Sequence, residues 1–244
     1  MIRVLSALVI CLFATPAWAV FPSVSSATTS TVATDETNHT VNMPAACASG
    51  KLLIVFFGSD GTENVGWPVG WTELGQSAVA PTVSIGYKQS AGTEAGGTIT
   101  VTTPSIEQSS HISWCVDNAI AVATQPPEIT TWFDAATGNP DPPSITPTGG
   151  AKDYLYVAVA GGDSGSITID AYPASYGDNN TNVGGAAGDA SGHIAVASRT
   201  LNAASADPGV FDFSIESSVV SATTIAIHPA SAVATYTPQI IIVE

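Results

Sequence analysis

The chain has 244 residues, of which 5 are Lys or Arg and 20 are Asp or Glu, giving a formal net charge of −15. This excludes a nucleic-acid binder, which needs clustered cations, because Arg3, Lys51, Lys88, Lys152 and Arg199 stand singly; it excludes a peripheral membrane protein held by charge for the same reason. Charged residues make up only 10% of the chain against 45% hydrophobic ones, so a core can be buried and solubility rests on the 54 Ser and Thr residues and a diffuse negative charge.

The N-terminus reads as a secretion signal. Arg3 provides a positive start, residues 4–14 form an apolar run, and Ala17-Trp18-Ala19 matches a small-x-small peptidase site. The run is shorter than the ~20 residues that a membrane-spanning helix needs, and no later segment approaches that length. We therefore expect a signal peptide over 1–19, one β-sandwich domain over 20–229 and a C-terminal tail over 230–244, with no transmembrane segment after processing and a secreted, extracytoplasmic location. Processing removes Cys11 and leaves Cys47 and Cys115 in a compartment that permits disulfides. The pair reads either as one bridge, contributing about 3–4 kcal/mol through loop closure, or as two buried free thiols.

Beyond the signal the apolar segments are short, β-branched or aromatic, and bounded by Gly, Pro, Asn, Asp or Ser, which predicts strands. In chain order they are 26–33, 39–43, 51–58, 72–77, 82–88, 98–103 and 111–118, then 128–133, 153–160, 166–170, 193–200, 210–215 and 221–228. No dozen-residue window sustains an apolar 3.6-residue period. The alternation in Thr98 to Thr102 and in Phe211 to Ile215 predicts strands with one face on the core and one in water. The continuous run Leu52-Leu53-Ile54-Val55-Phe56-Phe57 predicts a strand covered on both faces.

The two halves of the chain read alike. LLIVFFGSD at 52–60 is echoed by YLYVAVAGGD at 154–163, WPVGW at 67–71 by YPASY at 172–176, and VSIGYK at 83–88 by IAVASR at 194–199. Two such degenerate half-repeats suit an antiparallel, jelly-roll-like sandwich in which each half supplies alternate strands to two packed sheets. Residues 125–150, rich in Pro, read as a crossing loop. In the tail, Ile240-Ile241-Ile242-Val243 is an uncharged β-prone run that must pair, either within its own sheet or by strand addition to a second copy.

Candidate sites follow from residue types. The aromatic-Pro corners, Trp67/Trp71 and Tyr172/Tyr176, could form stacking platforms for a sugar ring, or plug the ends of the sandwich. Asp60, Glu63 and Asp163 are oxygen donors in loops that could hold Ca2+, although no dedicated calcium string accompanies them and Asp is a turn former in its own right. No catalytic residues emerge. Glu73, Glu94, Glu107 and Glu216 stand alone, without the paired carboxylates of a retaining glycosidase. No G-x-S-x-G elbow occurs. His39, His111, His193 and His228 lack zinc spacing, though His111 and His193 each open a strand and could meet in space.

The strings LLIVFFGSDG, WPVGWTEL, IGYKQSAGTEAGGTITVTT and NPDPPSITP resemble a family of uncharacterised β-sandwich proteins of bacteriophage and marine bacterial reading frames, sometimes near virion or tail components. The resemblance covers residues 22–229. It implies the sandwich and a virion or cell-surface setting, and carries no reaction or catalytic residues; the signal segment favours the cell-surface or secreted setting. Together these readings predict a secreted, non-catalytic structural or adhesive module that recognises glycan or self. The alternatives are a carbohydrate-active enzyme on a jelly roll and a calcium-stabilised lectin-like domain.

Overall fold

The computed structural model describes residues 7–15, 20–62, 64–185, 191–215, 219–231 and 235–243. Among them lie fifteen strands and no helix, as the short β-branched segments require. The first half contributes β1 (Ala7–Thr15), β2 (Ser23–Asn42), β3 (Leu52–Ser59), β4 (Thr72–Gln76), β5 (Thr82–Gln89) and β6 (Thr98–Asp117). The second contributes β7 (Glu128–Ile129), β8 (Phe133–Ala135), β9 (Lys152–Gly162), β10 (Ile169–Ala171), β11 (Asp178–Gly184), β12 (His193–Ala203), β13 (Asp212–Phe213), β14 (Val220–Ile227) and β15 (Thr235–Val243).

Two antiparallel sheets pack face to face. The first has the order β2-β6-β3-β5-β4; the second has β11-β12-β9-β14-β7, with β8 also on β14. Read from the start of each half, the two orders are the same. The registers agree as well: Gly58 lies opposite Val83 and Ser110, and Gly161 opposite Ile194 and Ser221. A shift of 111 residues thus carries Val83 to Ile194 and Ser110 to Ser221. The expected jelly-roll interleaving, with each half feeding both sheets, is not the arrangement, because every half builds one whole sheet. Within each half only β4–β5 and β11–β12 pair as consecutive strands; the other pairings, such as β2–β6 and β9–β14, join strands that are not consecutive but belong to the same half.

The core lies between the sheets and draws matched residues from both. Leu52, Ile54, Phe56, Val83, Ile85, Trp114 and Val116 meet Leu155, Val157, Val159, Ile194, Val196, Ile225 and Ile227 in one buried cluster. At one end the sheets close backbone to backbone. A Cβ on Gly58 would lie 3.2 Å from the His193 carbonyl, one on Gly161 would meet Val83, and one on Gly192 would lie 2.6–2.7 Å from backbone atoms of Ser59. The outer faces are covered too. On the second sheet Tyr154, Tyr156, Tyr176, Phe211 and Phe213 form a further buried cluster.

The cover of the first sheet comes from its own longest strands. The segments predicted at 26–33 and 39–43 are one strand, as are those at 98–103 and 111–118. The register of this ribbon shifts between Val32 and Asn38, so it bends there and its outer part folds back. Val41 and Val101 pack on Val55 and Phe57, and the Asn42 amide donates to Ser30 Oγ at 3.1 Å. Cys47 and Cys115 are joined by a disulfide, with Cα atoms 5.6 Å apart, buried beside Leu53 and Trp71.

The tail joins neither sandwich sheet. β15 pairs with β1, Ala7 opposite Val243 and Thr15 opposite Thr235. The expected peptidase site at Ala17-Trp18-Ala19 lies outside the described residues.

Candidate functional site

The first aromatic corner is a tight turn on the outer face of the first sheet. The Trp71 amide donates to the Pro68 carbonyl at 3.0 Å, and Gly70 supplies the φ of +87° that the reversal needs. Trp67 and Trp71 stack, with ring centroids 5.9 Å apart and planes 23° from parallel. Trp67 Nε1 donates to Ser84 Oγ at 3.0 Å, and its ring covers Gly86 so closely that a Cβ there would collide with it. Trp71 rests against the disulfide cluster. Both rings are half-buried, while Val69 at the tip is fully exposed. The corner is therefore an apolar knob held rigidly from below.

The second corner is built differently. Tyr176 is buried and its hydroxyl has no hydrogen-bond partner; burial pushes that phenol upward in pKa, with Arg199 opposing. Tyr172 is half-buried and meets the Phe211 ring edge-on at 5.9 Å. With Tyr176 inside, Tyr172 and Tyr176 do not form a two-ring platform. This corner plugs the outer core of the second sheet.

Of the oxygen donors proposed for calcium, Asp60 and Asp163 follow the ends of β3 and β9 in equivalent positions, and Glu63 lies outside the described residues. No group of three His, Cys, Asp or Glu side chains able to hold a metal occurs among the described residues. The carboxylates considered for catalysis are likewise dispersed. Glu94 accepts from Lys88, at 2.7 Å, and from the amides of Ala91, Gly92 and Thr93. Burial alone would raise this carboxyl, but these partners outweigh it and hold it at about 2. Glu73 is raised by burial, and Glu216 lies outside the described residues.

The histidines are the residues that sequence reasoning placed least well. His111 meets His39, not His193. Ser109 Oγ bridges them, 2.7 Å from His39 Nδ1 and 2.8 Å from His111 Nε2. Thr103 Oγ1 closes one end on His39 Nε2 at 2.8 Å, and Ser30 Oγ the other on His111 Nδ1 at 2.9 Å. Phe57 sits between the two rings, edge-on to His39 and stacked on His111. Both histidines, Ser109 and Thr103 are buried. The network is a polar rivet at the fold of the β2/β6 ribbon, closed to substrate. Burial and then His39 push His111 down to about 3, and burial lowers His39 against the pull of Glu36 and Asp60.

His193 packs edge-on to Phe213, and neither ring nitrogen has a hydrogen-bond partner. Burial drives it down to about 4. His228 forms a dyad with Glu128, Nε2 to Oε1 2.6 Å. Glu128 also accepts from the Thr148 amide and hydroxyl. Burial raises this carboxyl, but the Thr148 and His228 bonds outweigh it and leave it below the usual range. No sequence signal pairs these three residues, because Glu128 and His228 are 100 positions apart and meet only through the pairing of β7 with β14.

Fold and sites together define a disulfide-linked antiparallel β-sandwich with a rigid aromatic corner and four buried histidines. Compared with protein-family models, with curated proteins and with solved structures, the chain matches none.

Proposed function

We propose that the protein is a secreted, non-catalytic surface module that recognises a glycan or another exterior partner through the Trp67–Trp71 corner. The observation that carries this reading is the fully exposed Val69 on a turn whose flanking indoles are stacked and pinned to Gly86 and the disulfide. A preorganised aromatic knob loses little entropy on binding, and Trp is the side chain that most often dominates a recognition surface. The buried disulfide is compatible with an extracytoplasmic setting.

Val69→Asp places a charge on the knob without touching the core, so it is expected to weaken binding on a glycan array or to the native surface on the order of tenfold, with an unchanged melting temperature. Undiminished binding by the folded variant would remove the corner from the recognition surface.

A second reading, assembly of copies by strand exchange, is supported by one observation: among the described residues β15 has only β1 as a partner, in the segment whose removal the sequence predicts. On this reading the processed protein is oligomeric and deleting Pro238–Glu244 reduces its mass in solution to that of one chain. An oligomer that survives the deletion rules strand exchange out.

A further inference from the structure

A cleft of about 430 Å3 opens at the end of the second sheet, where β9 begins and β12 and β14 finish. Its volume lies within the range of small-molecule sites. Its polar lining includes Lys152, Asp153, Asn202 and His228 beside the uncharged Thr124, Gln125 and Ser231, and Ile120 and Pro229 add apolar surface. None of these residues belongs to the aromatic corner, so the cleft stands independently of the function proposed above.

Three features give the cleft a definite chemistry. The first is its cation. In a chain with so few, Lys51 is bridged to Asp117 at 3.3 Å and Lys88 to Glu94 at 2.7 Å. Lys152 is exposed at the cleft and makes no ion pair among the described residues. The second is the orientation of His228. Glu128 is an ionised acceptor held by Thr148, so the 2.6 Å contact requires His228 Nε2 to carry the proton. In the neutral ring Nδ1 then holds the lone pair and can accept only. The third is Asp153, whose Oδ1 accepts from Asn202 Nδ2 at 2.6 Å, which fixes a carboxylate at the same mouth with acceptor capacity to spare.

One unpaired ammonium beside two acceptors matches a ligand with one negative charge and several hydroxyls. A phosphate dianion fits worse than a monoanion, since Asp153 at the mouth and Glu128 behind His228 repel each negative charge and Lys152 offsets only one. A neutral sugar leaves Lys152 unused. We propose that this cleft binds a sugar acid of the uronate type. Lys152 pairs with its carboxylate, His228 Nδ1 and Asp153 accept hydroxyl protons, and Ile120 and Pro229 cover an apolar ring face.

The test is a titration of the full chain followed by backbone amide NMR, using sodium D-glucuronate, D-glucose as the uncharged counterpart and sodium acetate as the charge alone. Saturable shifts at Lys152, Asp153, Asn202 and His228 are expected with glucuronate, at least fivefold weaker with glucose and absent with acetate. Lys152→Gln, at an exposed position that does not threaten the fold, should weaken glucuronate about tenfold, the scale of one lost charge-assisted hydrogen bond, and leave glucose unchanged. Asp153→Asn should weaken both sugars. Glucuronate without saturable shifts in the cleft, acetate binding as well as glucuronate, or full affinity in Lys152→Gln would each overturn the proposal. Because the aromatic corner contributes nothing here, Val69→Asp must leave this titration unaltered.

Discussion

His193 shows how a single side chain can work against the fold that contains it. Its ring is buried against Phe213 with both nitrogens unpartnered, an arrangement that costs about 1–3 kcal/mol in lost solvation. Acid makes that cost larger. A histidine lowered by burial is neutral in the folded chain and charged in the unfolded one below its ordinary value of about 6.5. The stability it allows is therefore fully present above about pH 6.5 and is lost as pH falls toward about 4 for His193 and about 3 for His111. The urea midpoint should be flat from about pH 7 to 8 and fall from about 6.5 to 5, above the range where carboxylates contribute. His193→Leu should keep stability at pH 7 within about 1 kcal/mol or raise it, and should reduce the acid loss by up to about 2 kcal/mol at pH 5. An acid loss of undiminished size in that variant would clear His193 of responsibility.

At the scale of elements, the strands were legible because their pattern is local. The apolar run at 52–57 and the alternations at 98–102 and 211–215 record which faces meet core and which meet cover, and periodicity reports this residue by residue. What escaped was continuity. Residues 34–38 and 104–108 are polar but for Pro104 and Ile106 and carry Glu36 and Glu107, so they read as breaks; in the ribbon Glu36 lies opposite Glu107 across a register shift. The bend puts His39 over Phe57, so a lone boundary histidine in the sequence is half of a buried network in the fold. Residues 178–184, rich in Asn and outside every predicted strand, form β11 because the edge of β12 supplies its partners. Edge pairing overrides weak local propensity.

For the molecule as a whole, two sheets of matching order meet through seven matched pairs of core positions, and their approach is limited by glycine at the end where they converge. Gly192 is the tightest of these points, since an added Cβ would meet the Ser59 backbone at 2.6–2.7 Å and no rotamer change can relieve it. Gly192→Ala is expected to cost on the order of 2–4 kcal/mol by thermal or urea unfolding. Gly177→Ala, where a Cβ would meet nothing within 4 Å, should stay within about 0.5 kcal/mol. Equal stability of the two variants would show that the seam between the sheets yields.

The sequence alone determined the all-β class, nearly every strand, the likeness of the two halves and the two cysteines able to bridge, because each depends on local patterning or on residue identity. It left the partition of strands between sheets, the pairing of Cys47 with Cys115, the burial of Tyr176, and the meetings of His39 with His111 and of His228 with Glu128 to the tertiary structure. The disulfide and the two histidine meetings join residues from 68 to 100 positions apart, and short-range pattern carries no information about which distant surfaces come together. The aromatic corner stands between the two cases: its stacking residues were visible as a motif, but only packing against Gly86 and the disulfide decided that Val69 faces outward.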